Sequence, residues 1–164
     1  MHPVPDTPKP GQESVWDFPR PAVAQQTPSH VKIVHRGVTI AESRRAVRTL
    51  ETSHPPSYYF PREDVAMALL SASQGRSLCE WKGDAVYFNI SLKGESLRDV
   101  AWSYPRPTSS FILLKDYIAF YAAPFENCTV DGERATPQPG DFYGGWVTSK
   151  LSGPFKGVPG SRSW

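Results

Sequence analysis

Residues 85–104 read AVYFNISLKGESLRDVAWSY. Two runs rich in β-branched and aromatic residues flank Lys93-Gly94. A two-residue connection ending in glycine is the strongest short-range hairpin signal, because the turns that match strand twist need positive φ at their centre. The pattern recurs in HVKIVHRGVTIAES (30–43), which turns at Arg36-Gly37, and in CTVDGERA (128–135), which turns at Asp131-Gly132. RRAVRTLE (44–51) and DYIAFYAA (116–123) read as further strands. These runs predict a mainly β domain: a small antiparallel β barrel or a bent two-sheet, β-tent-like arrangement. One short α-helix is expected in PREDVAMALL (61–70), with a proline at its start, Glu63 and Asp64 in its first turn, and an end before Gly75. A second helical turn is expected near Leu113–Asp116.

The hairpins occupy residues 30–136, the predicted β domain. Residues 1–29 form a proline-rich arm, with prolines at 3, 5, 8, 10, 19, 21 and 28. They exclude regular structure, and residues 1–12 are expected to be disordered. Trp16 and Phe18 carry large apolar area and should dock. Residues 137–164 mix Gly and Pro with Phe142, Tyr143, Trp146, Phe155 and Trp164, and are expected to pack on the core as an irregular tail.

The 164 residues suffice for one domain with a sizeable core. A net charge of +2 gives no basis for a nucleic-acid or membrane partner. The sequence has no apolar run of about 18 residues, the length of a membrane span. The stretch MHPVPDTPKPGQ (1–12) lacks the basic head and apolar segment of a secretory signal. With only two cysteines, Cys79 and Cys128, the chain is expected in a reducing cytoplasm, with free thiols. These cysteines are far apart, with no histidine a few positions from either, so no metal site and no cofactor are expected.

GVTIAESRRAVRTLETSHPPSYYFPREDV (37–65), CEWKGDAVYF (79–88), AWSYPRP (101–107), DYIAFY (116–121) and VDGE (130–133) follow one another in the order and spacing of a family. The chain resembles the domain-of-unknown-function 427 family. The flanks ESVWDFPRP (13–21) and FYGGWVTSKLSGPFKGVPG (142–160) look like those of a longer, cyanobacterial-type branch. The resemblance implies a small mainly β domain related to β-tent folds, some of which hold zinc. The family label also points to nucleotidyl transfer, for which no paired-carboxylate motif is visible. Many members read Cys-Pro-Phe-Lys-Gly where this chain has Cys79-Glu80-Trp81-Lys82-Gly83, so the cysteine, lysine and glycine keep their places.

Three groups of residues are candidates for function. Cys79 lies three residues before Lys82, whose ammonium favours a thiolate; the alternative is a small buried residue beside a turn lysine. Glu51 and His54 sit with Tyr58 and Tyr59 around Pro55-Pro56, where a stiff backbone suits an acid–base site or a plain structural corner. Arg45 and Arg48 could hold an anion, or only form a solvated strand face. Trp102 and Tyr104 could wall a pocket by stacking, or only fill the core. Two functional classes follow. One is a binding or interaction module for a small molecule or peptide, with a pocket near Glu51, Tyr59, Cys79 and Trp102. The other is an enzyme using Cys79 aided by Lys82, with Glu51 or His54 moving protons. Either is expected as a monomer or homodimer.

Overall fold

The computed structural model describes residues 2–164; Met1, the first residue of the proline-rich arm, lies outside the described residues. The three expected turns form, each with both central residues at positive φ: Arg36 and Gly37 at 49° and 76°, Lys93 and Gly94 at 49° and 81°, Asp131 and Gly132 at 50° and 82°. They join β3 (Val31–His35) to β4 (Val38–Ser43), β8 (Gly83–Leu92) to β9 (Glu95–Ser103), and β11 (Asn127–Val130) to β12 (Glu133–Arg134), where β1 (Glu13–Ser14) and β2 (Val23–Gln26) precede them in the arm. The remaining strands are β5 (Val47–Glu51), β6 (His54–Phe60), β7 (Leu70–Cys79), β10 (Ile118–Phe120), β13 (Thr136–Pro137), β14 (Trp146–Val147) and β15 (Leu151–Ser152).

A seven-stranded antiparallel sheet has the order β2-β5-β6-β10-β9-β8-β7, and a four-stranded antiparallel sheet the order β12-β11-β3-β4. Neither sheet closes on itself, so the barrel alternative gives way to the two-sheet one. Val31, Ile33 and Ile40 from the smaller sheet meet Tyr58, Phe60, Ile90, Ile118 and Phe120 from the larger, and Trp146 completes this core. Tyr59 is on the opposite face of β6 from its two neighbours, as strand alternation requires. It joins Val47, Ala85, Trp102, Tyr104 and Ala119 in a second apolar cluster on the outer face of the large sheet.

The expected α-helix is absent. Residues 62–64 and 67–69 make two 3-10 turns, and β7 begins at Leu70. Helix propensity loses to tertiary pairing here. Val65 is extended (φ −118°, ψ 140°), bridges Ala41 and is buried, and Ala66 donates its N–H to Ile40 O at 2.8 Å. The second expected turn is a kinked 3-10 segment, Ser109–Leu114.

The flanks dock together. β1 pairs in parallel with β15, and Val15, Phe18, Leu50 and Leu151 form a third cluster. Trp16 donates its indole N–H to Pro154 O at 2.9 Å and lies against Trp164. The start of the arm, expected to be disordered, is mostly exposed but attached: Asp6 N–H bonds Gly153 O at 2.9 Å, and the Gln12 amide bonds Ser149 O at 2.9 Å. Phe142, expected to pack, is instead 80% exposed.

Candidate functional site

One row of side chains runs across five strands of the large sheet. Val47 is opposite Tyr59, Tyr59 opposite Ala119, Ala119 opposite Trp102, and Trp102 opposite Tyr87. Ala119, between two large rings, leaves space above the sheet. The rings lean over it, and the Trp102 indole N–H donates to the Tyr59 hydroxyl at 3.1 Å. Tyr121 packs against Trp102 at 4.6 Å between ring centres. This aromatic surface is the floor of a cavity of about 310 Å³.

One wall is the β5–β6 corner. Glu51, His54, Pro55 and Ser57 line it, within the stretch ETSHPPSYYFPREDV (51–65). A central strand rarely accepts proline, since proline donates no ladder bond, and it is accommodated at bulges. The β5–β6 pairing shifts between Thr49 and Glu51, opposite the Pro55-Pro56 step. Thr52-Ser53 then turns the chain, with Ser53 at φ 70°. His54 Nδ1 lies 2.9 Å from Thr52 O and 3.6 Å from Glu51 Oε2. With Nδ1–H donated to the carbonyl, Nε2 is left an acceptor, and it has no protein partner among the described residues. Burial depresses the His54 pKa below its usual value, Glu51 opposes that effect, and the imidazole is neutral at pH 7.

The opposite wall is the end of β7 and its turn. Ser77, Cys79 and Lys82 line it, and the Ser77 hydroxyl is 2.9 Å from the Tyr87 hydroxyl. Lys82 Nζ is 3.8 Å from Cys79 Sγ and 5.4 Å from the Phe111 ring centre. The Lys82 carbonyl accepts from Thr108 N–H at 3.0 Å, which fixes the turn. The roof comes from the tail. Gln138, Phe142, Tyr143 and Gly144 arch over the opening, closed at the base by Gln138 N–H to Gly145 O (2.9 Å) and Gly145 N–H to Gln138 Oε1 (3.1 Å). Tyr143 meets His54 edge-on at 5.1 Å.

The fold therefore places Glu51, His54, Tyr59, Cys79, Lys82, Trp102 and Tyr104 on one cavity. Burial raises the phenol pKa values of Tyr59 and Tyr104, so both stay protonated hydrogen-bonding groups at neutral pH. Three other candidates lie elsewhere. Arg45 pairs with Asp64 at 3.1 Å, and Arg48 binds both carboxylate oxygens of Glu13 at 2.7 and 3.0 Å. Tyr58 belongs to the core between the sheets, against Trp146, where burial pushes its pKa up to about 12. Each arginine is paired with a carboxylate away from the cavity, so neither contributes its charge to the cavity wall. Cys128 is buried, with its thiol toward Ala122 O and its pKa pushed up to about 12 by burial.

Sequence reasoning missed Tyr87, Tyr121, Ser77 and the roof. Tyr87 was within reach: a two-residue turn keeps odd-numbered residues of β8 opposite even-numbered residues of β9, so Tyr87 shares a face with Trp102. The roof carries no periodic signal. Among the described residues, no cluster of three or more His, Cys, Asp or Glu side chains is arranged to hold a metal ion. No helix among them is long and apolar enough to cross a membrane.

Residues 23–131 match the family model described as Domain of unknown function (DUF427). The chain belongs to this family. The matched region runs from β2 to the Asp131-Gly132 turn, so this DUF427 chain builds the cavity's floor and both walls from the family region and its roof from outside it. A comparison with curated proteins returned no match.

Proposed function

We propose that this DUF427 chain is a binding module that takes a small molecule, or a single aromatic group of a peptide, into the roofed cavity. The observation that carries this reading is the enclosure of an aromatic floor by polar groups from three separate parts of the chain. A pocket with apolar walls and a few fixed polar groups is the usual form of a ligand site. A flat ligand stacks on Tyr87, Trp102 and Tyr121. Lys82 offers a donor to a carbonyl or carboxylate oxygen, and neutral His54 offers an acceptor. Cytoplasmic placement accords with the unpaired cysteines and is part of this proposal.

The test is an NMR titration with a panel of flat aromatic carboxylates. The expected result is saturable shifts at residues 77–82, 51–57 and 138–145. Lys82→Met should weaken binding about tenfold, the worth of one charge-assisted hydrogen bond of about 1.5 kcal/mol. Arg45→Met, remote from the cavity, should leave it unchanged. Panel-wide absence of shifts at the cavity residues would refute the reading.

A further inference from the structure

The cavity holds more than binding requires. Cys79 Sγ is on its wall, half-buried at the end of β7. Lys82 Nζ is 3.8 Å away, held above the Phe111 ring by a turn whose backbone is tied to Thr108. His54 lines the same cavity, with Nδ1 engaged by Thr52 O and Nε2 unpartnered among the described residues. A thiol, an ammonium and an imidazole acceptor thus line one aromatic enclosure. The chain's other thiol, Cys128, is sealed between Ala122 O and the inter-sheet core.

We infer that Cys79 adds covalently to flat, conjugated carbonyl compounds bound in the cavity, an activity that rests on the binding reading above. The aromatic floor admits a flat, conjugated electrophile and presents its face to the wall. Sγ attacks the β-carbon and an S–C bond forms. The C=C π pair moves onto the carbonyl oxygen as an enolate, beside the Lys82 ammonium, where a preplaced donor stabilises developing charge. The S–H proton is carried by water to His54 Nε2 on the facing wall and returned by the same route to the α-carbon. The product is a thioether. Nothing is oxidised or reduced, and no co-reactant is consumed. Elimination reverses the step, so the activity is capture and release of the electrophile.

Benzylideneacetone, an aromatic enone, is a suitable probe for the full-length chain at neutral pH, with intact-mass detection and peptide mapping. The expected result is a single adduct on Cys79. It should form at least tenfold faster than the adduct of N-acetylcysteine, with a rate that saturates with enone concentration. Cys79→Ser should abolish the adduct. Lys82→Met should slow it about tenfold while the melting temperature stays unchanged. A Cys79 rate equal to that of N-acetylcysteine and linear in enone would overturn the inference, as would equal labelling of Cys128. The saturated analogue 4-phenyl-2-butanone cannot add to a thiol. If it shifts the cavity resonances while Cys79 reacts no faster than N-acetylcysteine, the thiol activity is refuted and the binding reading stands. If neither compound engages the cavity, both fail.

Discussion

His54 ties the cavity to pH. Burial lowers its pKa below the ordinary 6.5, and Glu51, Lys82, Lys156 and Tyr143 are the titratable groups around it. Between its folded and unfolded pKa values the unfolded chain binds more protons, so stability rises with pH across that window. The neutral imidazole is tolerated fully above 6.5, and stability is lost as pH falls below it. Urea midpoints should therefore drop between pH 7.5 and 5.5, and His54→Gln should remove part of that drop. Parallel pH curves for the two proteins would contradict this account. At this scale the site was partly legible. Seven of the ten candidate residues reach the cavity, because strand parity and the proline corner are local signals. Arg45 and Arg48 were misplaced because their partners, Asp64 and Glu13, are distant in sequence, and charge alone does not reveal which carboxylate will claim it.

Among the elements, the tail loop over the cavity depends on glycine for contact rather than for backbone freedom. A Cβ on Gly144 would lie 2.3 Å from Trp102 Cη2, and one on Gly145 would lie 2.4 Å from Pro55 O. The loop is thus seated directly on the floor ring and the proline corner. Gly144→Ala should lift the roof. The expected signature is faster access of small aromatic probes, measured as an increased association rate, with a melting temperature lowered by a few degrees. Unchanged probe kinetics would show that the loop does not govern entry. The misread helix belongs to this scale too. Glu63, Asp64 and the following apolar residues carry a fair helix start, yet Val65 finds a bridge partner in Ala41. A ten-residue strand then pairs with β8 from Leu70 onward. Local propensity amounts to tenths of a kcal/mol per residue, which a strand pairing and a buried valine readily exceed.

For the whole molecule, two sheets share a core that the tail completes. Trp146 is fully buried, donates to Phe120 O at 3.0 Å and packs on Tyr58 and Phe60. Loss of such a ring costs roughly 3–5 kcal/mol, and about 2–4 °C per kcal/mol is expected at this size. Truncation from Gly140 should therefore lower the melting temperature by roughly 6–20 °C or cause aggregation. Deletion of residues 1–10 removes the Asp6 N–H bond to Gly153 O, the two local bonds between Lys9 and Gln12, and the His2 contact with Trp16; at about 1–2 kcal/mol in all it should cost roughly 2–8 °C. Calorimetry of both variants decides the point; a Gly140 truncation that melts at the full-length temperature would mean the tail is not structural. The two-sheet β class was legible because three turns carry glycine at positive φ. The sheet order was not, since β10 enters between β6 and β9 through side-chain fit rather than through any turn signal.

The parallel pairing of Glu13-Ser14 with Leu151-Ser152 has a consequence in time. During synthesis Glu13-Ser14 leaves the ribosome long before its partner Leu151-Ser152. The hairpins between can form as they emerge, each from neighbouring residues. The arm must wait, its Trp16 and Phe18 unsheltered, until the tail arrives to close a loop that spans all of the hairpins. This closure thus follows the hairpins, and the roof over the cavity, which belongs to the same tail, is fitted along with it.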